Sequence, residues 1–337
     1  MSGFWTRKKV LVGGGCGFLG SYLVPALVRE GAIVTVVDNL ENGAVEQLTS
    51  VRAQVDLRIG DLRDEIIATE VTRGQDVLFN LAAKAFGMEY SKSHHGEMLT
   101  DNLRCTLVPL DAARRNGVER AVIMSSSCVY PDDAPVPTPE LGTFVGAPES
   151  VNAGYGWAKR IQELAGQYCA DEHGMRVSIL RPFNMYGSNY RWGSQEKAHV
   201  IPVLVKRVMD GEDPVVVWGS GDQRRNFLHG SDAANVMLRV VAKDHAGPVN
   251  IGYDDDTPIR TLAQLICEVS GRSPHVTFDT SKPEGQLRKC ADATLLRRLT
   301  DDYAPLVSLR NGIEEMVRWY HDTFTPGGRI RPARDEV

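Results

Sequence analysis

Aromatic residues fill only 7% of the 337 positions, and no stretch approaches the roughly 20 consecutive apolar residues that a membrane-spanning helix needs. A helical membrane protein is thereby excluded. Basic residues are not in excess either: 38 Lys and Arg face 43 Asp and Glu, a net charge of −5, so no global positive field invites nucleic acid or an anionic membrane. Any anionic ligand must be held locally. The six cysteines (Cys16, Cys105, Cys128, Cys169, Cys267, Cys290) form no CxxC pair and have no histidine at metal-ligand spacing. That argues against a disulfide framework and a zinc site, and for a reducing, cytoplasmic setting. The basic start, Met1–Val10, runs into apolar residues as a leader peptide would, but Gly13-Gly14-Gly15 breaks the run, which reads better as a strand and a turn.

The chain does have an ordinary globular composition with many glycines, and it is long enough for two interlocked lobes. Its first part alternates short β-branched runs with amphipathic stretches. Strands are expected at Lys9–Gly13, Ile33–Val37, Asp56–Ile59, Val77–Asn80 and Arg120–Ser125, and helices at Phe18–Arg29, Leu62–Val71 and Asp101–Asn116. This is the pattern of βαβ units, and right-handed crossovers make it a doubly wound parallel α/β sheet of Rossmann type. A Pro- and Gly-rich segment, Pro131–Ala147, reads as a surface loop, followed by a helix over Tyr155–His173 and a strand over Arg176–Leu180.

Beyond Arg181 the alternation loosens. We expect residues 1–181 to bind a dinucleotide, with the chain returning there at about 226–251, and residues 182–225 and 252–337 to form a smaller, interleaved α/β substrate-binding domain.

Between the first strand and helix lie Gly14, Gly17 and Gly20, with Phe18 and Leu19 among them. Glycines at this turn let the backbone approach a pyrophosphate, and the helix N-terminus supplies N–H groups and partial positive charge. Asp38, at the end of the second strand, stands where a carboxylate accepts the ribose hydroxyls of NAD and repels the 2′-phosphate of NADP. Asp61, with Leu62, follows the third strand and suits either an adenine contact or a helix N-cap.

The fifth strand closes on Ser125-Ser126-Ser127, and Tyr155 and Lys159 share one face of the helix that follows. A phenol is a poor base at neutral pH, and a neighbouring ammonium together with a positive nicotinamide is a physical means of lowering its pKa.

On these residues the chain resembles the extended short-chain dehydrogenase/reductases. Asp38-Asn39, Gly60-Asp61-Leu62, Leu81-Ala82-Ala83 and Arg181-Pro182-Phe183-Asn184 are also similar to blocks of that family. The resemblance implies that Lys159 binds the nicotinamide ribose, Ser126 positions a sugar hydroxyl and Tyr155 takes its proton. It implies a cofactor contact for Asn39, Leu81, Ala82, Ala83 and Pro182 and a substrate contact for Ser127 and Asn184. Arg225, in Arg225-Asn226-Phe227-Leu228-His229, resembles the arginine that grips the substrate diphosphate. A homodimer through the Asp101–Asn116 and Tyr155–His173 helices is implied as well.

Within the family, Ser126-Ser127-Cys128 replaces the Thr-Asp-Glu of the 4,6-dehydratases and resembles two other groups, the GDP-mannose 3,5-epimerases and the GDP-fucose synthases. Both use a cysteine here as an acid/base. Lys197 falls in a segment similar to the epimerase's lysine segment. His199, and Lys282-Pro283-Glu284-Gly285 with Arg288, are similar to the synthase's. A synthase consumes NADPH whereas an epimerase returns the hydride it borrows, so Asp38 favours a redox-neutral epimerase acting on a GDP-mannose-like nucleotide sugar, with Cys128 and Lys197 as the acid/base pair. On its own chemistry Cys128 suits a small buried residue equally well, and Lys197 a solvated loop. A non-enzymatic dinucleotide sensor is disfavoured by the presence of Ser126, Tyr155 and Lys159 together.

Overall fold

The structure, a computed structural model, describes residues 3–190, 199–282 and 285–324. Its first half alternates β1 (Lys9–Gly13), α1 (Gly20–Arg29), β2 (Ile33–Asp38), β3 (Val55–Ile59), α2 (Glu65–Thr72), β4 (Val77–Asn80), α3 (Met88–Ser91), α4 (His95–Arg115), β5 (Arg120–Met124), α5 (Ala153–His173) and β6 (Arg176–Pro182). There follow β7 (Asn184–Tyr186), α6 (Val200–Asp210), β8 (Val215–Trp218), β9 (Arg224–Arg225), β10 (Phe227–His229), α7 (Gly230–Ala242) and β11 (Gly247–Ile251). The chain closes with β12 (Thr257–Pro258), α8 (Ile259–Ser270), β13 (Val276–Asp279), β14 (Arg288–Lys289), α9 (Thr294–Leu299) and α10 (Leu309–Phe324).

Seven strands form one all-parallel sheet in the order β11-β6-β5-β4-β1-β2-β3. Helices cover both faces, so the central strands are apolar throughout: Val10 and Val12 of β1 enter one core with Leu23, Phe79 and Met237, while Leu11 enters the other with Leu78, Leu110 and Ile123. The strand order reverses between β1 and β4, and a crevice opens there at the C-terminal strand ends, where ligands bind in open α/β sheets.

A separate core joins Val205 and Val208 of α6, Leu262 and Ile266 of α8, and Ile313 and Met316 of α10 against Val215 and Val217 of β8. Strand β14 pairs with β9, which pairs with β12, and this small sheet faces the end of β5.

Several expected boundaries shift, and three helix starts do so for a local reason. Helix α1 starts at Gly20 rather than Phe18 because the glycine turn runs to Leu19. Helix α2 starts at Glu65 rather than Leu62: Asp64, not Asp61, is the N-cap, accepting the N–H groups of Ile66 and Ile67. Helix α4 starts at His95 rather than Asp101, in a stretch where only Met98 and Leu99 are apolar and the periodicity is faint. Tertiary packing extends it, since a Cβ on Gly154 of α5 would lie 2.1 Å from the His95 carbonyl oxygen.

Segment 131–147, expected as surface, also lies partly inside. Buried Thr138 bridges to Ala291, donating its N–H to Cys290 and accepting that of Asp292. Among the described residues no helix is long and apolar enough to cross a membrane.

Candidate active site

Backbone crowding builds the glycine turn. Gly14 has φ +72°, and a Cβ there would meet the Ala82 backbone at 2.9 Å; one on Gly20 would lie 2.3 Å from the Gly15 carbonyl oxygen. Leu81 donates its N–H to Gly13, which brings Leu81, Ala82 and Ala83 to the turn. The first turn of α1 holds no acidic residue and no side-chain cap, so its N–H groups and partial positive charge are set for an anion.

Asp38 is buried, and its carboxylate accepts the N–H of Cys16 at 2.9 Å and of Leu40 at 2.8 Å. It thereby ties the glycine turn to the end of β2. Asn39 donates to Asp61 at 3.1 Å, and the Arg63 guanidinium holds the Asp61 carboxyl down to about 2, while Leu62 packs under Gly13. Phe18 meets the ring of Tyr190 at 6.0 Å, and Tyr190 meets His199 at 6.2 Å, so His199 borders the same crevice.

At the end of β5, Ser126 accepts the N–H of Cys128 at 3.1 Å and stands beside the phenol of Tyr155. Lys159 is buried, donates to the Met124 carbonyl at 2.8 Å and to Gln162 at 3.1 Å, and stands 5.3 Å over the Tyr155 ring. Burial lowers Lys159 to about 8. Burial also pushes the Tyr155 phenol up, opposed by Ser126. The expected lowering of the phenol by Lys159 is therefore not met by the protein alone: the ammonium is itself desolvated and two of its three donors are taken by Met124 and Gln162. Gly156 brings α5 against this loop, since a Cβ there would lie 2.6 Å from the Cys128 carbonyl oxygen.

Cys128 has a neighbour that the sequence did not suggest. Lys289 of β14 places its Nζ 3.9 Å from the sulfur and 3.1 Å from Glu149, which also accepts from Asn152 at 2.7 Å. Burial pushes the thiol up to about 12, with the Lys289 ammonium opposing it. Burial also opposes the charges of Glu149 and Lys289, yet each holds the other ionised.

Lys289 is adjacent in sequence to Arg288 and sits opposite Arg225 in the β14–β9 register. Asp256, almost fully buried, pairs with both Arg224 and Arg288 and fixes this basic edge. Ser127 lines a small cavity with Phe183, Arg288 and Lys289, and Asn184 donates to the Asn226 carbonyl at 3.0 Å. Pro182 ends β6 beside them.

The site thus gathers Ser126, Ser127, Cys128, Tyr155, Lys159, Arg225 and Arg288 at one end of the crevice and Gly14, Gly17, Gly20 and Asp38 at the other. Lys197 lies outside the described residues. Glu149 and Lys289 were missed because one follows a proline just past the loop read as surface and the other is a lone lysine in a weak two-residue strand. The Arg288-Lys289-Cys290 alternation is the only local hint.

A pocket with an anion cradle at one end and a hydroxyl, phenol and ammonium at the other suits hydride transfer at a carbon bearing a hydroxyl, the chemistry of short-chain dehydrogenase/reductases. A model of the NAD dependent epimerase/dehydratase family matches residues 10–252, and the chain belongs to that family. It is 33% identical over 323 residues to a putative GDP-L-fucose synthase 2 of Oryza sativa subsp. japonica, covering 93% of this chain and 86% of the relative. To GDP-mannose 3,5-epimerase 1 of the same plant it is 28% identical, covering 94% and 83%. The crystal structure of UDP-glucose 4-epimerase with UDP-glucose from Thermotoga maritima has a TM-score of 0.82 at 27% identity, covering 94% of this chain and all of that one. The protein is an NAD-dependent enzyme of sugar-nucleotide epimerase/dehydratase type.

Proposed function

We propose that the protein is an isomerase that epimerises a GDP-mannose-like nucleotide sugar through a transient 4-keto form, inverting C3, C5 or both. The observation that carries this reading is the presence of Cys128 beside Ser126 and Tyr155, a second proton-transfer group that simple oxidation and reduction at C4 does not need. Residues 1–181 with about 226–251 hold the dinucleotide: the glycine turn with Phe18 and Leu19 takes the pyrophosphate, Asp38 and Asn39 the ribose, and Asp61 and Leu62 the adenine side. Leu81, Ala82, Ala83, Lys159 and Pro182 complete its cradle. NAD, when bound, supplies the hydride acceptor and returns the hydride.

Ser126 orients the sugar hydroxyl and Tyr155 takes its proton. Once C4 is a ketone, the hydrogens on C3 and C5 become acidic, because the resulting carbanion delocalises onto the carbonyl oxygen. Cys128 serves one ring face and Lys197 the other. Arg225 and Arg288 hold the diphosphate, and Ser127, Asn184 and His199 hold the sugar. Residues 182–225 and 252–337 form the substrate-binding domain. Trp157, Ile161 and Tyr168, large and exposed on α5, support a homodimer across α4 and α5, and six unpaired cysteines support a reducing cytoplasm.

The test is turnover of a panel of GDP-, UDP- and dTDP-sugars in D₂O, followed by NMR. Deuterium at C3 or C5 is expected, and Cys128→Ala should abolish it. Turnover without such deuterium overturns the reading in favour of a 4-epimerase, whose hydride returns without meeting solvent. A second reading, an epimerase that also reduces its 4-keto sugar, is favoured by the higher identity to the fucose synthase, 33% against 28%. Stoichiometric consumption of a reduced nicotinamide would establish it.

A further inference from the structure

Cys128 is positioned from two sides. Glu149 donates its N–H to the Cys128 carbonyl at 3.2 Å, and its carboxylate lies within hydrogen-bonding reach of the thiol. Lys289 arrives from a separate element, β14, which is pinned by pairing with β9 and by the Thr138–Ala291 bridge to the loop that follows Cys128. Both charged side chains are nearly buried, 12% exposed for Lys289 and 8% for Glu149. A buried ion pair on its own is weak evidence of a stabilising role, because desolvation offsets much of the attraction. This pair does have a target, since the sulfur stands 3.9 Å from the ammonium.

We propose that Lys289, held by Glu149, is the positioning residue that lets Cys128 cycle between thiol and thiolate during proton transfer to and from the substrate. The proposal rests on the acid/base reading of Cys128 given above. When Cys128 acts as an acid, its S–H bond breaks and the proton forms a C–H bond with the electron pair of the enolate carbon. The sulfur keeps its own pair, and the thiolate charge faces the Lys289 ammonium. In the reverse direction the thiolate removes the carbon-bound proton and the charge moves to the enolate oxygen. Without Lys289 the thiolate would form in a desolvated pocket whose other nearby ionisable groups, among the described residues, are Glu149, Tyr155 and Lys159, with Arg225 behind Lys289. Among the described residues Lys159 is the other cation adjoining the thiol, and two of its three donors are taken by Met124 and Gln162.

The two charges should act on the thiol with opposite signs. An ammonium favours the thiolate, and a carboxylate that accepts from the thiol favours the protonated form. A purely structural role for the pair has no such asymmetry, since losing either partner would loosen the same loop.

The experiment is alkylation of Cys128 by iodoacetamide between pH 7 and 10, followed on the Cys128 peptide by mass spectrometry so that the other five cysteines do not interfere. Wild type, Lys289→Met, Lys289→Arg and Glu149→Gln are compared. Lys289→Met should slow alkylation about tenfold at a given pH and move its profile upward by roughly one pH unit. Lys289→Arg should recover most of the rate, and Glu149→Gln should match or exceed wild type. If Lys289→Met is not slower than wild type, or if Glu149→Gln is slower, the proposal is overturned. This titration needs no substrate, so its failure leaves the functional reading standing. Deuterium missing from C3 and C5 with the titration intact would overturn that reading instead.

Discussion

The two ends of the crevice are held together by different physics. At the dinucleotide end the contacts are made by backbone: Gly14 against Ala82, Gly20 against Gly15, and the N–H groups of Cys16 and Leu40 donating to the Asp38 carboxylate. At the thiol end they are between buried charges. Glu149 and Lys289 flank Cys128, and behind them the Arg181 guanidinium is paired with Glu163, both essentially without solvent access. Ser125 and Tyr130 complete that second network, donating to Glu163 and accepting from Arg181 at 3.1 Å. The first end depends on the absence of side-chain volume, and the second on every charge keeping its partner.

The largest expected effect breaks the second kind of support. Glu163→Ala strips the carboxylate from Arg181 and leaves a buried guanidinium with one carbonyl, that of Leu141, and the Tyr130 hydroxyl. Removing one partner of such a pair costs about 3–5 kcal/mol. The exposed pair Lys243–Asp301 is the control, and Lys243→Ala should leave stability close to that of the wild type. Urea unfolding of both variants measures the contrast. Equal losses would mean that packing, not charge, holds the thiol end.

Next in size is Tyr155→Phe, which separates the two ends by function. The variant should lose about 10²-fold or more in turnover, as expected for a lost general base. NAD affinity by calorimetry should stay near wild type, since the glycine turn and Lys159 are untouched. Wild-type turnover in Tyr155→Phe would remove it from the mechanism.

This difference between the ends also explains what could be read from the sequence. Gly14, Gly17, Gly20 and Asp38 belong to one strand–turn–helix–strand unit, so spacing alone announces their joint role. The early strands β1, β2, β4 and β5 were legible for the same reason, because burial on both faces writes a run of apolar residues into each, whereas the mostly exposed edge strand β3 shows only alternation. Tyr155 and Lys159 were legible because one helix face carries both. Cys128 and Lys289 are 161 positions apart and meet only because a two-residue strand docks through Thr138, which no periodicity records. The early start of α4 was hidden in the same way, by a close approach between His95 and Gly154 that exists only in three dimensions.

The smallest expected effect sharpens the dinucleotide end, where one carboxylate has two duties. Asp38 fixes the turn through the N–H groups of Cys16 and Leu40, and in the proposed dinucleotide site its place at the end of β2 would set it against the ribose 2′ position, where a phosphate would meet a like charge. Wild type should therefore bind NAD more tightly than NADP. Asp38→Asn removes the charge but keeps one acceptor oxygen for the turn, so it should narrow the preference by about tenfold, or about 1.4 kcal/mol, mainly by improving NADP. Asp38→Ala removes both acceptors and should weaken both dinucleotides together, which distinguishes a collapsed turn from a lost repulsion. Calorimetric titration of the three proteins with each dinucleotide decides the matter. Equal affinity of the wild type for NAD and NADP would show that the buried carboxylate is neutralised by its two N–H partners and serves only the turn, and cofactor choice would then have to lie in Asn39 and the Asp61–Arg63 pair beside it.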